Sequence, residues 1–318
     1  MIRLLAGVWR PTEASVLRCA WASLVANVVI VLTGAAVRLT GSGLGCPTWP
    51  RCTEASGDDP GSFVPHGELG VHGAIEFANR MLTFALVVVA VLTFVAAWRL
   101  RPARRSFRRL SLLLALGIPA QAVIGGMTVL TDLNPWVVAG HLLVSMALIS
   151  LAVAMVRRVP EGDGPRVATL PSAGVWLVRA TYAATWVVLY LGTVVTGSGP
   201  HAGDADSPRN GLDPATMSQL HADVVFLLVG LTVGCVVVAL ATGAPGPVVR
   251  CAVVLLVAEL AQGTIGFVQY ATSLPEALVA AHVLGAAILV AAATDLVLRT
   301  SAPGKLPAPA DSLSRAAS

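Results

Sequence analysis

Gln121-Ala-Val-Ile-Gly-Gly-Met127, with Asn134-Pro-Trp-Val-Val-Ala-Gly-His141 shortly after it, is one of two stretches cast on the same template. The other is Gln262-Gly-Thr-Ile-Gly-Phe-Val268 with Leu274-Pro-Glu-Ala-Leu-Val-Ala-Ala-His282. Gln and His are 20 residues apart in both, and a proline precedes each His by six or seven residues. Both histidines sit in apolar sequence, where an ionisable group is costly and its default reading is functional. A repeated pair implies two related sites in a two-part chain.

The surrounding composition fixes the class. The chain has 318 residues, 56% hydrophobic and 12% charged, with a mean hydropathy of +0.78. A soluble domain of this size needs more surface charge than that, so an all-α integral membrane protein is expected. The net charge of +4 is then no sign of nucleic-acid binding, because the arginines fall in short connections where they orient the chain. No cleavable signal peptide is evident: Arg3 and Arg10 precede a full-length apolar span without a small-residue cleavage site.

Runs long enough to cross a bilayer, about 20 residues each, fall at 16–38, 74–98, 110–130, 136–156, 174–196, 217–241, 249–271 and 276–298. Basic residues concentrate at 99–109 and 157–170, at Arg250, and at Arg299, Lys305 and Arg315. The positive-inside bias makes those connections and both termini cytoplasmic. The longer connections 39–73 and 198–216 then face outward. The eight spans divide into two pseudo-symmetric four-helix bundles: residues 1–156, a cytoplasmic linker at 157–173, and residues 174–298. Residues 299–318, rich in Pro, Ala and Ser, read as a disordered tail. The halves match again at their first helices, which end Arg38-Leu-Thr-Gly-Ser-Gly43 and Val195-Thr-Gly-Ser-Gly199. With four spans per repeat the halves share one orientation and are related by an axis along the membrane normal.

The six histidines all fall in outward loops or at the outward ends of even-numbered spans. His221 and His282 enter their spans at matched depth, which suits the two axial positions of one haem iron in a helical bundle. The bland alternative is interhelical hydrogen bonding. In the first half His141 is the counterpart of His282. The counterpart of His221 is Asn79, and the nearest histidine, His72, lies about two helical turns away. One half thus offers an iron two imidazoles. The other offers His141, the carboxylate of Glu76, and His72 from the rim. A single firm ligand leaves a coordination position open for oxygen chemistry, whereas two imidazoles favour electron transfer.

Glu76 reads either as a carboxylate at the substrate site or as the partner of Arg80 at the interface. Arg38 and Arg80 are candidates to pair with haem propionates, the alternative being interfacial snorkelling. Glu259, three residues before Gln262, is deep in the seventh span with no assigned role. Cys46 and Cys52 flank Pro-Thr-Trp-Pro-Arg in an outward loop, where a disulfide is chemically permitted; a zinc site drawing on His66 fits the spacing poorly. Cys19, Cys235 and Cys251 read as small core residues.

These motifs, taken together, resemble the haem A synthase family. The resemblance covers nearly all of 16–298. It is carried by Thr33-Gly34, Arg38-Leu-Thr-Gly-Ser-Gly-Leu-Gly-Cys-Pro-Thr-Trp-Pro-Arg-Cys52, Ile75-Glu-Phe-Ala-Asn-Arg80, Gln121 to Val129, His141, Thr196 to Asp204, His221 and His282. It implies an oxidoreductase that converts a ring methyl of haem O into a formyl group by successive hydroxylations, the geminal diol losing water. It further implies substrate haem in the N-terminal bundle and a haem b cofactor between His221 and His282. Glu76 would be catalytic. The chain departs from the family at Asn79, where a histidine is usual. That leaves His141 as the sure ligand of the substrate iron, with His72 the candidate second.

Two other classes are compatible with the histidines: a b-type electron-transfer cytochrome of the membrane without substrate oxidation, and a transporter built from parallel repeats. The single-ligand half argues against the first, and the lack of a clear pair of broken helices against the second. Expected partners are haem O, an electron donor that the sequence leaves unnamed, a haem O synthase as supplier, membrane lipid and a second copy of the chain.

Overall fold

In a computed structural model, which describes residues 9–55, 60–65 and 70–304, eight long helices carry the chain. They are α1 (Glu13–Leu39), α2 (Gly70–Arg99), α3 (Arg105–Leu130), α4 (Pro135–Glu161), α5 (Ser172–Ser198), α6 (Pro214–Ala241), α7 (Gly246–Ala271) and α8 (Glu276–Leu298). All eight are long and apolar enough to cross a bilayer. Large apolar side chains such as Phe84, Trp176, Phe226 and Phe267 are exposed along them. In water such a surface would aggregate; in lipid it is solvated. The chain is a multi-pass membrane protein.

Local chemistry sets the helix starts. Thr12 caps α1, its Oγ1 accepting from Ser15 N at 3.3 Å. Asn134 caps α4 through Trp136 N at 3.0 Å, and Asp213 caps α6 through Thr216 N at 2.7 Å. Pro135 and Pro214 take the first helical positions, where the missing N–H costs nothing. Hydrogen bonds from Thr216 hold the Asp213 carboxyl below the usual range.

The contacts are cyclic within each half. α1 packs on α2 and α4, and α3 on α2 and α4; α5 packs on α6 and α8, and α7 on α6 and α8. α4 and α1 touch α8, and α4 touches α5. The duplication is visible in the backbone. Asp132 and Leu133 join α3 to α4 at φ 52° and 57°, and Ser273 and Leu274 join α7 to α8 at φ 63° and 60°. Non-glycine residues rarely adopt this conformation. In both turns a Schellman-type hydrogen bond helps hold it: Leu133 N to Thr128 O at 2.8 Å and Leu274 N to Gln269 O at 2.7 Å.

The helices overrun most of the expected spans by a few residues. α4 continues to Glu161, so the expected linker at 157–173 begins inside a helix. The start of the expected disordered tail is also different. Ser301–Pro303 forms a strand, β2, antiparallel to β1 (Arg166–Ala168), with Val167 opposite Ala302. Thr169 N donates to Thr300 O and Gly304 N to Pro165 O. Pairing satisfies backbone groups that composition alone would leave to water. Residues from 305 onward, and His66, lie outside the described residues.

On the same face an ion network joins the halves. Arg157 and Glu161 of α4 pair at 2.5 Å, Glu161 pairs with Arg166 at 2.8 Å, and Asp295 of α8 pairs with Arg299 at 3.0 Å. Arg157 Nε approaches Asp295 Oδ1 at 3.2 Å, close enough for an ion pair but outside hydrogen-bond geometry.

Candidate functional site

Histidine and carboxylate positions build two unequal sites at the end of the molecule opposite the arginine-rich connections. In the second half His221 lies two turns into α6 and His282 two turns into α8. Both line a cavity of about 510 Å³ walled by α4 to α8, within the size range of cofactor sites. The two rings are within electrostatic reach of each other. Each faces a glycine on a neighbouring helix. A Cβ on Gly192 of α5 would meet His221 Cε1 at 3.3 Å, and one on Gly266 of α7 would meet His282 Cε1 at 3.6 Å.

Buried polar groups are normally satisfied, yet four buried side-chain atoms belonging to residues of this cavity's wall are not. They are His221 Nδ1, His282 Nδ1, Gln269 Oε1 and Glu259 Oε2. The Val188 carbonyl of α5 lies near the His221 ring without a formed hydrogen bond to Nδ1. A large apolar cavity with paired unsatisfied imidazoles suits a flat, iron-bearing macrocycle, so the residues present fit a haem.

In the first half His141 occupies the matching place in α4. Its ring sits against Gly125, where a Cβ would meet Cε1 at 3.2 Å, and its Nδ1 is buried without a partner. Gln121 donates from Nε2 to His141 O at 3.0 Å and to Ser145 Oγ, and Ser145 Oγ donates to the same carbonyl at 3.0 Å. The repeated glutamine therefore braces the turn that carries the histidine. Gly125 and Gly266 each stand four residues after that glutamine, a signal present in the sequence and not used there.

The rest of the first site has no counterpart in the second. Glu76 is 5% exposed and fully engaged. Its Oε2 accepts from Cys46 N at 2.6 Å, and its Oε1 accepts from Arg80 Nη2 at 2.5 Å and Nε at 3.1 Å. Arg80 also donates to the carbonyls of Cys46, Thr48 and Arg51 at 3.1, 3.1 and 3.3 Å. Cys46 and Cys52 form the disulfide. Together these contacts clamp the loop down, and Trp49 presses against Gly126 of α3, where no Cβ is tolerated.

Three candidates stand elsewhere than their sequence roles suggest. Arg80 spends its donors on Glu76 and the loop. Arg38 donates to His201 O at 2.5 Å and Thr196 O at 3.1 Å, bridging to the second half. His72 is exposed, its Nδ1 2.9 Å from Ser42 Oγ. Asn79 accepts from Thr33 Oγ1 at 2.8 Å. No cluster of three or more His, Cys, Asp or Glu poised for a bare metal ion occurs among the described residues.

Eight apolar helices, intramembrane histidines in both halves, one large cavity beside His221 and His282, and a clamped disulfide loop define a membrane protein. Residues 18–58 and 68–294 match the family model described as cytochrome oxidase assembly protein, COX15-CtaA. The chain belongs to that family. Among its curated relatives are proteins named heme A synthase from Bacillus cereus (strain AH187), Bacillus mycoides (strain KBAB4) and Bacillus anthracis (strain CDC 684 / NRRL 3495). Each is 24% identical over 208 residues, 63% of this chain and 64% of the relative. The chain thus spans a little under two thirds of the length of those relatives.

Proposed function

We propose that the protein is a haem A synthase, an oxidoreductase that converts a ring methyl of haem O to a formyl group. Each of two hydroxylations would take one oxygen atom from dioxygen, the other leaving as water with two electrons and two protons; the resulting geminal diol loses water to leave the aldehyde. The first four helices would hold haem O through His141. The last four would hold haem b between His221 and His282, and that cofactor would supply electrons. The unpartnered imidazoles of His221 and His282 in a shared 510 Å³ cavity carry this reading, together with family membership.

Glu76 is the group placed to handle protons at the first site. Arg80 fixes Oε1 with two donors and the Cys46 N–H fixes Oε2 with one, which leaves a lone pair on Oε2. A carboxylate so held can take a proton from a diol hydroxyl as water leaves. Trp49 and the clamped loop would shield that step from bulk water. Arg38 would act less as a propionate ligand than as a tie between the halves. Asn79, bonded to Thr33, stands where the family usually has a histidine, so His141 would be the firm protein ligand of the substrate.

The protein is placed in the cell membrane with both termini and the arginine-rich connections cytoplasmic, and with the disulfide on the oxidising side. The test is to purify the chain after co-expression with a source of haem O and identify extracted porphyrins by mass. Haem A and haem b together support the proposal. Haem b alone, with no haem A formed, would instead identify an electron-transfer cytochrome.

A further inference from the structure

Glu259 is used by nothing described so far. It is 1% exposed in the middle of α7, about 18 Å from the helix end at Ala271. Glu259 is one of the residues around the cavity; Thr232 of α6 donates to its Oε1 at 2.7 Å, and its Oε2 is buried without a partner. No cation pairs with it among the described ion pairs. Burial without a cation works against the ionised form, and the Thr232 donor works for it.

We propose that Glu259 is a proton-accepting site coupled to electron transfer at the second-half cofactor. This rests on the reading that His221 and His282 hold haem b. In that reading, one electron delivered to the cofactor by a one-electron reductant would lower the charge beside His221 and His282 by one. The Glu259 carboxylate then takes one proton from the aqueous phase and becomes the neutral acid. Charge in the cavity is unchanged by the paired event. Glu259 lies about 10 Å along α7 from Gly266, the residue facing His282. A unit charge placed at about that distance, at an effective dielectric near 20, would change proton affinity by roughly tenfold.

The other titratable groups around it are accounted for. α6 and α8 pack on α7. From α6 come Cys235, which senses Glu259 and contacts Thr181 Oγ1 at 3.2 Å, His221, and Asp223 near the helix start. From α8 come His282, Glu276 at the start and Asp295 at the far end. Arg250 and Cys251 lie at the far end of α7 itself. Of these only Cys235 shares the Glu259 environment without being an expected iron ligand.

The experiment is a redox titration of the b-type signal in the purified full chain between pH 5 and 9. Across the region where Glu259 titrates, the midpoint potential is expected to fall in total by about 59 mV, the one-electron equivalent of tenfold. Glu259→Gln, which keeps an acceptor for Thr232, should flatten the curve while the haem band remains. Thr232→Val should move the sloping region to higher pH, and Cys235→Ala should leave it in place. A flat curve in haem-loaded wild type overturns the proposal, as does a slope surviving in Glu259→Gln. Colourless protein would instead overturn the cofactor reading and this inference with it.

Discussion

The two halves share a scaffold and differ in what they grip. Both have a glutamine bracing or touching the histidine-bearing helix, a glycine against the imidazole, and an αL–αL turn before that helix. Yet α6 presents His221 to a large cavity, while α2 at the corresponding place presents Asn79 bonded to Thr33. α2 also carries Glu76 and Arg80, whose donors and acceptors are spent on a disulfide loop absent from the second half. In the proposed reading, the repeated backbone would set where a macrocycle sits, and the side chains on α2 and α6 would decide whether it is fixed or made available for reaction.

The largest expected effect tests the fixed half. His221→Ala or His282→Ala should abolish the low-spin b-type spectrum, since each removes one of two axial ligands. A full signal in either variant would show that the halves do not differ in the way described. Next comes the reactive half. Glu76→Gln should leave haem bound but lower haem A formation by about 10²–10⁴-fold, the usual contribution of a positioned proton-transfer group. Quantifying haem A against haem O in extracted membranes measures it; wild-type ratios would remove Glu76 from the chemistry.

Asn79→His makes the first half resemble the second. The substrate haem should become low-spin and six-coordinate, visible by electron paramagnetic resonance, with no change at the second site. The cost is the Thr33 hydrogen bond, about 1 kcal/mol. Unchanged spin state would mean that α2 does not face the iron.

Much of this was legible in the sequence because hydropathy and repetition report directly on helices and on paired sites. Eight spans, the His141 and His282 correspondence, and the cysteine pair all follow from spacing. The long-range partners of arginines did not follow. The Glu76–Arg80 pair, four residues apart, was one of the two readings of Glu76, but only tertiary placement sends Arg38 to His201 and Thr196 and Arg80 to the carbonyls of the disulfide loop. Glu259 was visible as a charge in an apolar run, but its bond to Thr232 spans two helices. The strand at Ser301–Pro303 was hidden because its partner, Arg166–Ala168, is far away in sequence. Pairing across such distances has no local periodicity to betray it.

The smallest effect concerns the joint between the halves at the arginine-rich face. Asp295 of α8 pairs with Arg299 at 3.0 Å, lies 3.2 Å from Arg157 of α4, and accepts from Cys251 Sγ at 3.0 Å. Its side chain is 26% exposed and that of Arg157 is 23% exposed, so solvent screens the pair only in part. The Arg157 approach lacks hydrogen-bond geometry, which places its worth toward the modest values of surface pairs. A double-mutant cycle of Asp295→Asn and Arg157→Gln, read by thermal unfolding in detergent, should return a coupling of about 0.2–1 kcal/mol that shrinks with added salt. A coupling of zero would assign the joint between halves to the apolar contacts of α4 and α1 with α8, including Met146, Ile149 and Val290, which share one buried cluster.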